Sequence, residues 1–280
     1  MLNQKTIAFL GAGSMAEAMI SGMIKTDKVP VNQIIVTNKG NQDRLNRMED
    51  KYRVRTVTFS EMPFREADFV ILAMKPKGAE ETLATIKDLL RPDQVVISVL
   101  AGISTSYMEE RLNAGQKVIR VMPNTSSMIQ ESATAMSLGT DTNDSDSRMV
   151  KELLSVMGKV YVIEEEQMDI FTGLAGSGPA YFYYLIEQME NIGKVSGMDG
   201  KMARKIAAQT LYGAAKMIMD RDESPAELRK KVTSPNGTTA AGLEALKKYH
   251  GGEAISQAVS HATNRSREIS EEIDRVLIPS

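Results

Sequence analysis

The chain has 280 residues, 42% hydrophobic and 25% charged, the profile of a soluble globular protein with room for one large domain or two ordinary ones. Lys plus Arg total 34 and Asp plus Glu 36, and the net charge of -2 gives no reason to expect a nucleic acid or an anionic membrane as partner. With no cysteine, disulfides, thiol catalysis and thiolate metal sites are excluded. The opening MLNQKTIAFLGAG is not expected to be a signal peptide, because its apolar run is short and broken by glycines. No stretch approaches the roughly 20 apolar residues of a membrane span, and a cytoplasmic location is expected.

Along the first half, short β-branched runs alternate with helical stretches. Strands are expected at 6–10, 33–37, 53–57, 68–73, 94–99 and 117–122, with helices between them, notably 14–25, 78–90 and 104–113. Continuous apolar strands separated by helices imply a parallel sheet covered on both faces. A strand near 132–138, a helix near 146–157 and a strand at 159–163 complete this half. The polar run TDTNDSD (140–146) between them is expected to be a surface loop. From about residue 165 helical periodicity takes over, at 179–196, 200–220, 224–233, 238–249 and 252–276. Ser224-Pro225-Ala226-Glu227 is a capping box with Pro at the first helical position. The expected architecture is an α/β doubly wound sheet over residues 1–164 followed by an all-α domain over 165–280. The wide apolar faces of AYFYYLIEQM and MARKIAAQTLYGAAKMIM point to burial against a second copy of the chain.

TIAFLGAGSMAEA reads as a strand, then Gly11-Ala12-Gly13-Ser14-Met15-Ala16, then a helix, which is the context the dinucleotide fingerprint of a Rossmann-type fold requires. Gly11 permits the tight turn, Gly13 lets a pyrophosphate approach, and Ala16 keeps helix and strand close. The helix N-terminus offers free N–H groups and a partial positive charge to phosphates. At the end of the second strand no carboxylate stands ready for ribose hydroxyls. Asn38 and Lys39 occupy that place, with Arg44 further on, which favours NADPH over NADH. Ligands in such sheets lie beyond the carboxyl ends of strands. There the chain places Ala73-Met74-Lys75-Pro76, Ala101-Gly102 and Asn124, all candidates for cofactor contact.

The motifs GAGSMAEA, AMKP, VMPNT, TGLAGSGPAYFY and SPNGTTAAGLEAL, in this order and spacing, resemble pyrroline-5-carboxylate reductases over nearly the whole chain. The resemblance implies a Rossmann-type N-terminal domain and an all-α C-terminal dimerisation domain. It implies a homodimer, with decamers in some members, and reduction of 1-pyrroline-5-carboxylate to L-proline with NADPH or NADH. In Ser234-Pro235-Asn236-Gly237-Thr238-Thr239 there is no charge. A substrate carboxylate can be held by backbone N–H groups at a helix N-terminus without any Arg, here those of Gly237, Thr238 and Thr239. By the resemblance the Thr239 hydroxyl, the catalytic candidate, bonds the ring nitrogen, Ser234 lines the pocket and Glu165 lies near the substrate.

Three departures from the family pattern stand out. Asn236 replaces a common Gly, and Asn tolerates positive φ. Lys231 stands where some relatives carry an Asn, and Ala175 where many carry a Ser. Two other readings stand beside the first: a reductase of another cyclic imine or a hydroxyacid, and an inactive nucleotide-binding regulatory paralogue. His250, His261 and Lys194 are read as structural, and Glu164-Glu165-Glu166 as a solvated helix start without a metal.

Overall fold

The computed structural model describes residues 2–277. Among them, eight strands form one sheet: β1 (Ile7–Leu10), β2 (Ile34–Thr37), β3 (Arg55–Thr56), β4 (Phe69–Leu72), β5 (Val95–Ser98), β6 (Lys117–Met122), β7 (Ser132–Leu138) and β8 (Gly158–Val162). Their spatial order is β3-β2-β1-β4-β5-β6-β7-β8. The chain builds outward from β1 to β3, then returns to lay β4 on the other side of β1. Strand order therefore reverses between β1 and β4, where Ile7 pairs with both Ile34 and Phe69. β1 to β6 are parallel, and β6 and β7 pair antiparallel with Ile119 opposite Leu138. The link between β6 and β7 is too short for a crossover helix, so the chain doubles back. Helix α5 then carries it across to β8, parallel to β7.

Flanking helices are α1 (Ser14–Lys25), α2 (Gln42–Tyr52), α3 (Ala79–Ile86), α4 (Thr105–Arg111), α5 (Asp144–Leu154) and the short α6 (Met168–Phe171). Alternation along the strands feeds two cores. Ile7, Phe9, Phe69 and Ile71 point to the face covered by Met19, Ile20, Met23 and Leu153. Ala8, Leu10, Val70 and Leu72 point to the face covered by Leu83, Ile86, Tyr107 and Met108. Helix α1 lies tightly on the turn after α5, and a Cβ at Gly22 would come within 2.6 Å of the Val156 carbonyl oxygen.

The polar run 140–146 is a loop only in part. Asn143 caps α5 by accepting from the N–H groups of Ser145 and Asp146. Asp146 is buried and paired with Lys117 at 2.9 Å, so a carboxylate expected in solvent is a fixed ion pair instead.

Five further helices follow: α7 (Gly178–Val195), α8 (Gly200–Asp220), α9 (Pro225–Lys231), α10 (Thr238–Lys248) and α11 (Gly251–Leu277). The chain divides into two compact units, Met1–Gly176 with Ala262–Ser280, and Ser177–His261. In the second unit α7 and α8 cross closely, because a Cβ at Gly193 would meet that of Ala203 at 2.8 Å. Phe182, Tyr183, Tyr184, Ile192, Ile206 and Tyr212 remain exposed.

Candidate functional site

The reversal point of the sheet brings the end of β1 against the end of β4. Gly11 has φ +120, and a Cβ there would run into the Ala73 carbonyl oxygen. Gly13 differs. Its backbone is extended (φ -72, ψ -178), and a Cβ would sit 3.8 Å from Ala73 O, an ordinary contact. Gly13 is the N-cap of α1, and no side chain caps that helix. Gly13 and Ser14 are exposed, Met15 leans on the core and Ala16 is fully buried. The first N–H groups of an α-helix lack intrahelical partners and carry partial positive charge. An open turn of this kind suits a pyrophosphate.

At the end of β2, Asn38 is half-buried and Lys39 exposed. The Lys39 ammonium pairs with Glu81 at 2.7 Å, both in open solvent, a pair that costs little to exchange for another anion. Arg44 is engaged elsewhere. Its Nε donates to the Ala12 carbonyl at 2.6 Å and its Nη2 pairs with Glu17. Hydrogen bonds from Lys51, Tyr52 and Arg44 hold the Glu17 carboxyl down to about 2, against the opposing effect of partial burial.

The carboxyl ends of β4, β5 and β6 share the sheet edge with Gly11, because these strands run parallel. Ala73 and Met74 are half-buried, Lys75 is exposed and Pro76 opens a 3-10 turn. Ala101 is exposed, whereas Gly102 (φ +79) is buried, with Ile273 of α11 2.6 Å from the place of a Cβ. Both ends of the Asn124 amide are bonded. Its Oδ1 accepts from Ser126 N, and its Nδ2 donates to the Ala175 carbonyl at 3.0 Å. That carbonyl belongs to a π-helical turn, Thr172–Gly176.

Glu165 also lies in the first unit. It accepts from the buried Arg120 of β6 at 2.6 Å, and its Oε2 is buried without a hydrogen-bond partner among the described residues. The expected solvated helix start is therefore only partly so. Glu164 closes a reciprocal cap with Gln167, while Glu165 balances a buried guanidinium.

In the second unit, Ser234 to Thr239 form the entry to α10. Asn236 adopts φ 60, the left-handed conformation that Asn accepts. The Gly237 N–H donates to Ser234 O at 3.1 Å, so the turn itself uses that donor. The free groups are those of the first helical residues, from Thr238 onward. Gly237 is the N-cap, without a capping side chain, and a Cβ on it would overlap the Ser234 hydroxyl. Ser234, Thr238 and Thr239 are exposed. This entry offers hydroxyls and amide N–H groups to an anion.

Lys194 and His250, read as structural, have partners within the second unit. Lys194 and Arg204 both pair with the buried Glu190, and these bonds, Arg204 first, hold its carboxyl down to about 2. Lys231 pairs with Glu223, and His250 ends α10 with φ 57 and Nδ1 3.3 Å from Glu253. No cluster of three or more His, Asp or Glu among the described residues is arranged to hold a metal. Sequence reading missed the Arg44–Glu17 pair, Arg120 behind Glu165 and the Asn124–Ala175 bond. The i,i+7 spacing of Arg44 and Lys51 along α2, both turned toward Glu17, was the one available signal.

Residues 165–269 match the family model described as pyrroline-5-carboxylate reductase dimerisation, and residues 6–102 match that described as NADP oxidoreductase, coenzyme F420-dependent. Pyrroline-5-carboxylate reductase 1 of Bacillus subtilis (strain 168) is 53% identical over 99% of this chain and 93% of its own length. The solved pyrroline-5-carboxylate reductase of Coxiella burnetii superposes with a TM-score of 0.89 at 30% identity, covering 95% of this chain and 99% of that one. The Plasmodium falciparum pyrroline carboxylate reductase, solved with NADP bound, gives 0.86 at 25% identity, covering 96% and 100%. From its glycine turn to its SPNGTT helix entry, the chain belongs to the pyrroline-5-carboxylate reductase family.

Proposed function

We propose that this protein reduces 1-pyrroline-5-carboxylate to L-proline, the last step of proline biosynthesis, with NADPH preferred and NADH as second reductant. The observation that carries the reading is the entry to α10, an uncharged helix N-terminus whose N-cap is a glycine and which no side chain caps. Such an entry can take a carboxylate on backbone N–H groups without the desolvation cost of a buried cation. Thr238 and Thr239 supply those groups, the Ser234 hydroxyl lies beside them, and the Thr239 hydroxyl is assigned to the ring nitrogen. Glu165 is assigned to the substrate side by the family resemblance.

Gly11, Gly13, Ser14 and Met15 are assigned to the pyrophosphate, and Asn38 and Lys39 to the 2′-phosphate. Ala73 to Pro76, Ala101, Gly102 and Asn124 border the rest of the cofactor. NADPH supplies the hydride that adds to the imine carbon, and the ring nitrogen carries the balancing proton. An imine protonated in solution needs no strong acid from the protein, so the protein's work is positioning and exclusion of water. No helix among the described residues is long and apolar enough to cross a membrane, and a cytoplasmic homodimer, able to build a decamer, is our reading. Residues 165–280 are its substrate-binding and dimerising part, and the exposed aromatic residues of α7 and α8 support this.

The test is NADPH oxidation followed by absorbance with purified protein and racemic 1-pyrroline-5-carboxylate, with NADH run alongside and proline identified as product. Rapid oxidation yielding proline is expected. Bound NADPH with no oxidation would move the assignment to another cyclic imine.

A further inference from the structure

The glycine turn is held from behind by a side chain that the dinucleotide fingerprint does not include. Arg44, in the first turn of α2, donates from Nε to the Ala12 carbonyl at 2.6 Å. Its other end is locked by Glu17, which Lys51 and Tyr52 hold in turn, each at 2.9 Å. Ala12 is buried, so its carbonyl needs a partner inside the fold. In a trans peptide the carbonyl and the following N–H point in opposite directions. Fixing the Ala12 carbonyl on Arg44 therefore fixes the Gly13 N–H on the side away from α2. The Arg44 charge is at the same time balanced by Glu17, which leaves it a weak attractor for a further phosphate.

We propose that Arg44 is a positioning residue for the cofactor, which holds the Ala12–Gly13 peptide in the orientation that presents the Gly13 N–H to a pyrophosphate. In this role the guanidinium is not the partner of a 2′-phosphate. It rests on the reading of the turn as a dinucleotide site. The pyrophosphate is common to NADPH and NADH, so the two roles predict different cofactor profiles. A planar guanidinium suits the task because it reaches a carbonyl and a carboxylate at once with a fixed geometry.

The experiment measures binding of NADPH and of NADH separately, by titration calorimetry, to the full-length protein and to Arg44→Met. Both dissociation constants are expected to rise by the same factor, about tenfold, the size of one charge-assisted hydrogen bond. In turnover assays the loss should fall on KM for the cofactor and not on KM for the pyrroline. Lys39→Ala is the contrast, with a loss confined to NADPH. A loss confined to NADPH in Arg44→Met, or no loss in either cofactor, would overturn the proposal. If Arg44→Met does not fold, Glu17→Gln, which frees the far end of the guanidinium, should weaken both cofactors equally by about threefold, and the same two outcomes count against it. Wild-type protein that binds neither cofactor would overturn the dinucleotide reading and this proposal together. Binding without pyrroline reduction would overturn only the proposed reaction.

Discussion

The guanidinium of Arg120, buried in the sixth strand, donates to Glu165 at 2.6 Å across the start of the segment that leads to the helical unit. Removing one member of a buried pair leaves the other charge uncompensated, at a cost of about 3–5 kcal/mol. Glu165 is a quarter exposed, so the lower end applies. Glu165→Ala is expected to lower the unfolding free energy by about 3 kcal/mol, and Glu165→Gln, whose amide oxygen can still accept, by clearly less. Urea titration of both variants checks this. An unshifted midpoint for Glu165→Ala would show that water replaces the carboxylate.

The two glycines of the first turn should fail in different ways. Gly11→Ala combines φ +120 with a collision at Ala73, and should destabilise the fold by about 3 kcal/mol. Gly13 has an ordinary φ and room for a methyl group. Gly13→Ala should therefore melt like the wild type but bind NADPH about tenfold more weakly, since the methyl group stands where a pyrophosphate approaches. Thermal melts beside cofactor titrations separate the two. Equal melting losses for both variants would refute the distinction.

Thr239→Ala should lower kcat/KM for the pyrroline by about tenfold or more, with a smaller effect on NADPH binding. Thr239→Ser should recover most of the loss. Gly237→Ala should displace the Ser234 hydroxyl and raise KM for the pyrroline. Steady-state kinetics that leave Thr239→Ala unchanged would remove that hydroxyl from the reaction.

Acid should act most strongly through two of the carboxylates that native hydrogen bonds hold low. Glu17 and Glu190 are both held at about 2 in the folded protein, below the ordinary 4.5. A folded-state value below the unfolded one means that the unfolded chain binds the proton more tightly. The stability these groups contribute is complete above about pH 4.5 and is lost as pH falls from there toward 2. Glu17→Gln and Glu190→Gln should each flatten the acid side of the stability curve, as followed by circular dichroism in urea from pH 2 to 7. An unchanged slope in both variants would mean that other groups control acid unfolding.

The centre of the sheet was legible because β1, β4 and β5 are apolar, fully buried runs with turn residues at their ends. Strand order, register and the antiparallel pairing of β7 come from the structure alone. The helices of the second unit were legible from their period and from caps such as Ser224 with Glu227. Long-range polar contacts were not. Nothing local in Arg44 says that it reaches back to Ala12, and nothing in the strand KVIRVM marks Arg120 as the partner of a glutamate 45 positions later. The period of the last helix likewise does not tell that Ile273 covers Gly102. The turn at Asn236 was readable because a single residue's backbone preference decides it.

The sheet is one wall shared by two rooms. Ile7 and Phe9 furnish one side, Ala8 and Leu10 the other, and the same short segment serves both. Neither room can open without stripping the wall of its neighbour. Melting of the first unit should then be a single event, with the central strands' amides exchanging with solvent hydrogen through one common opening free energy.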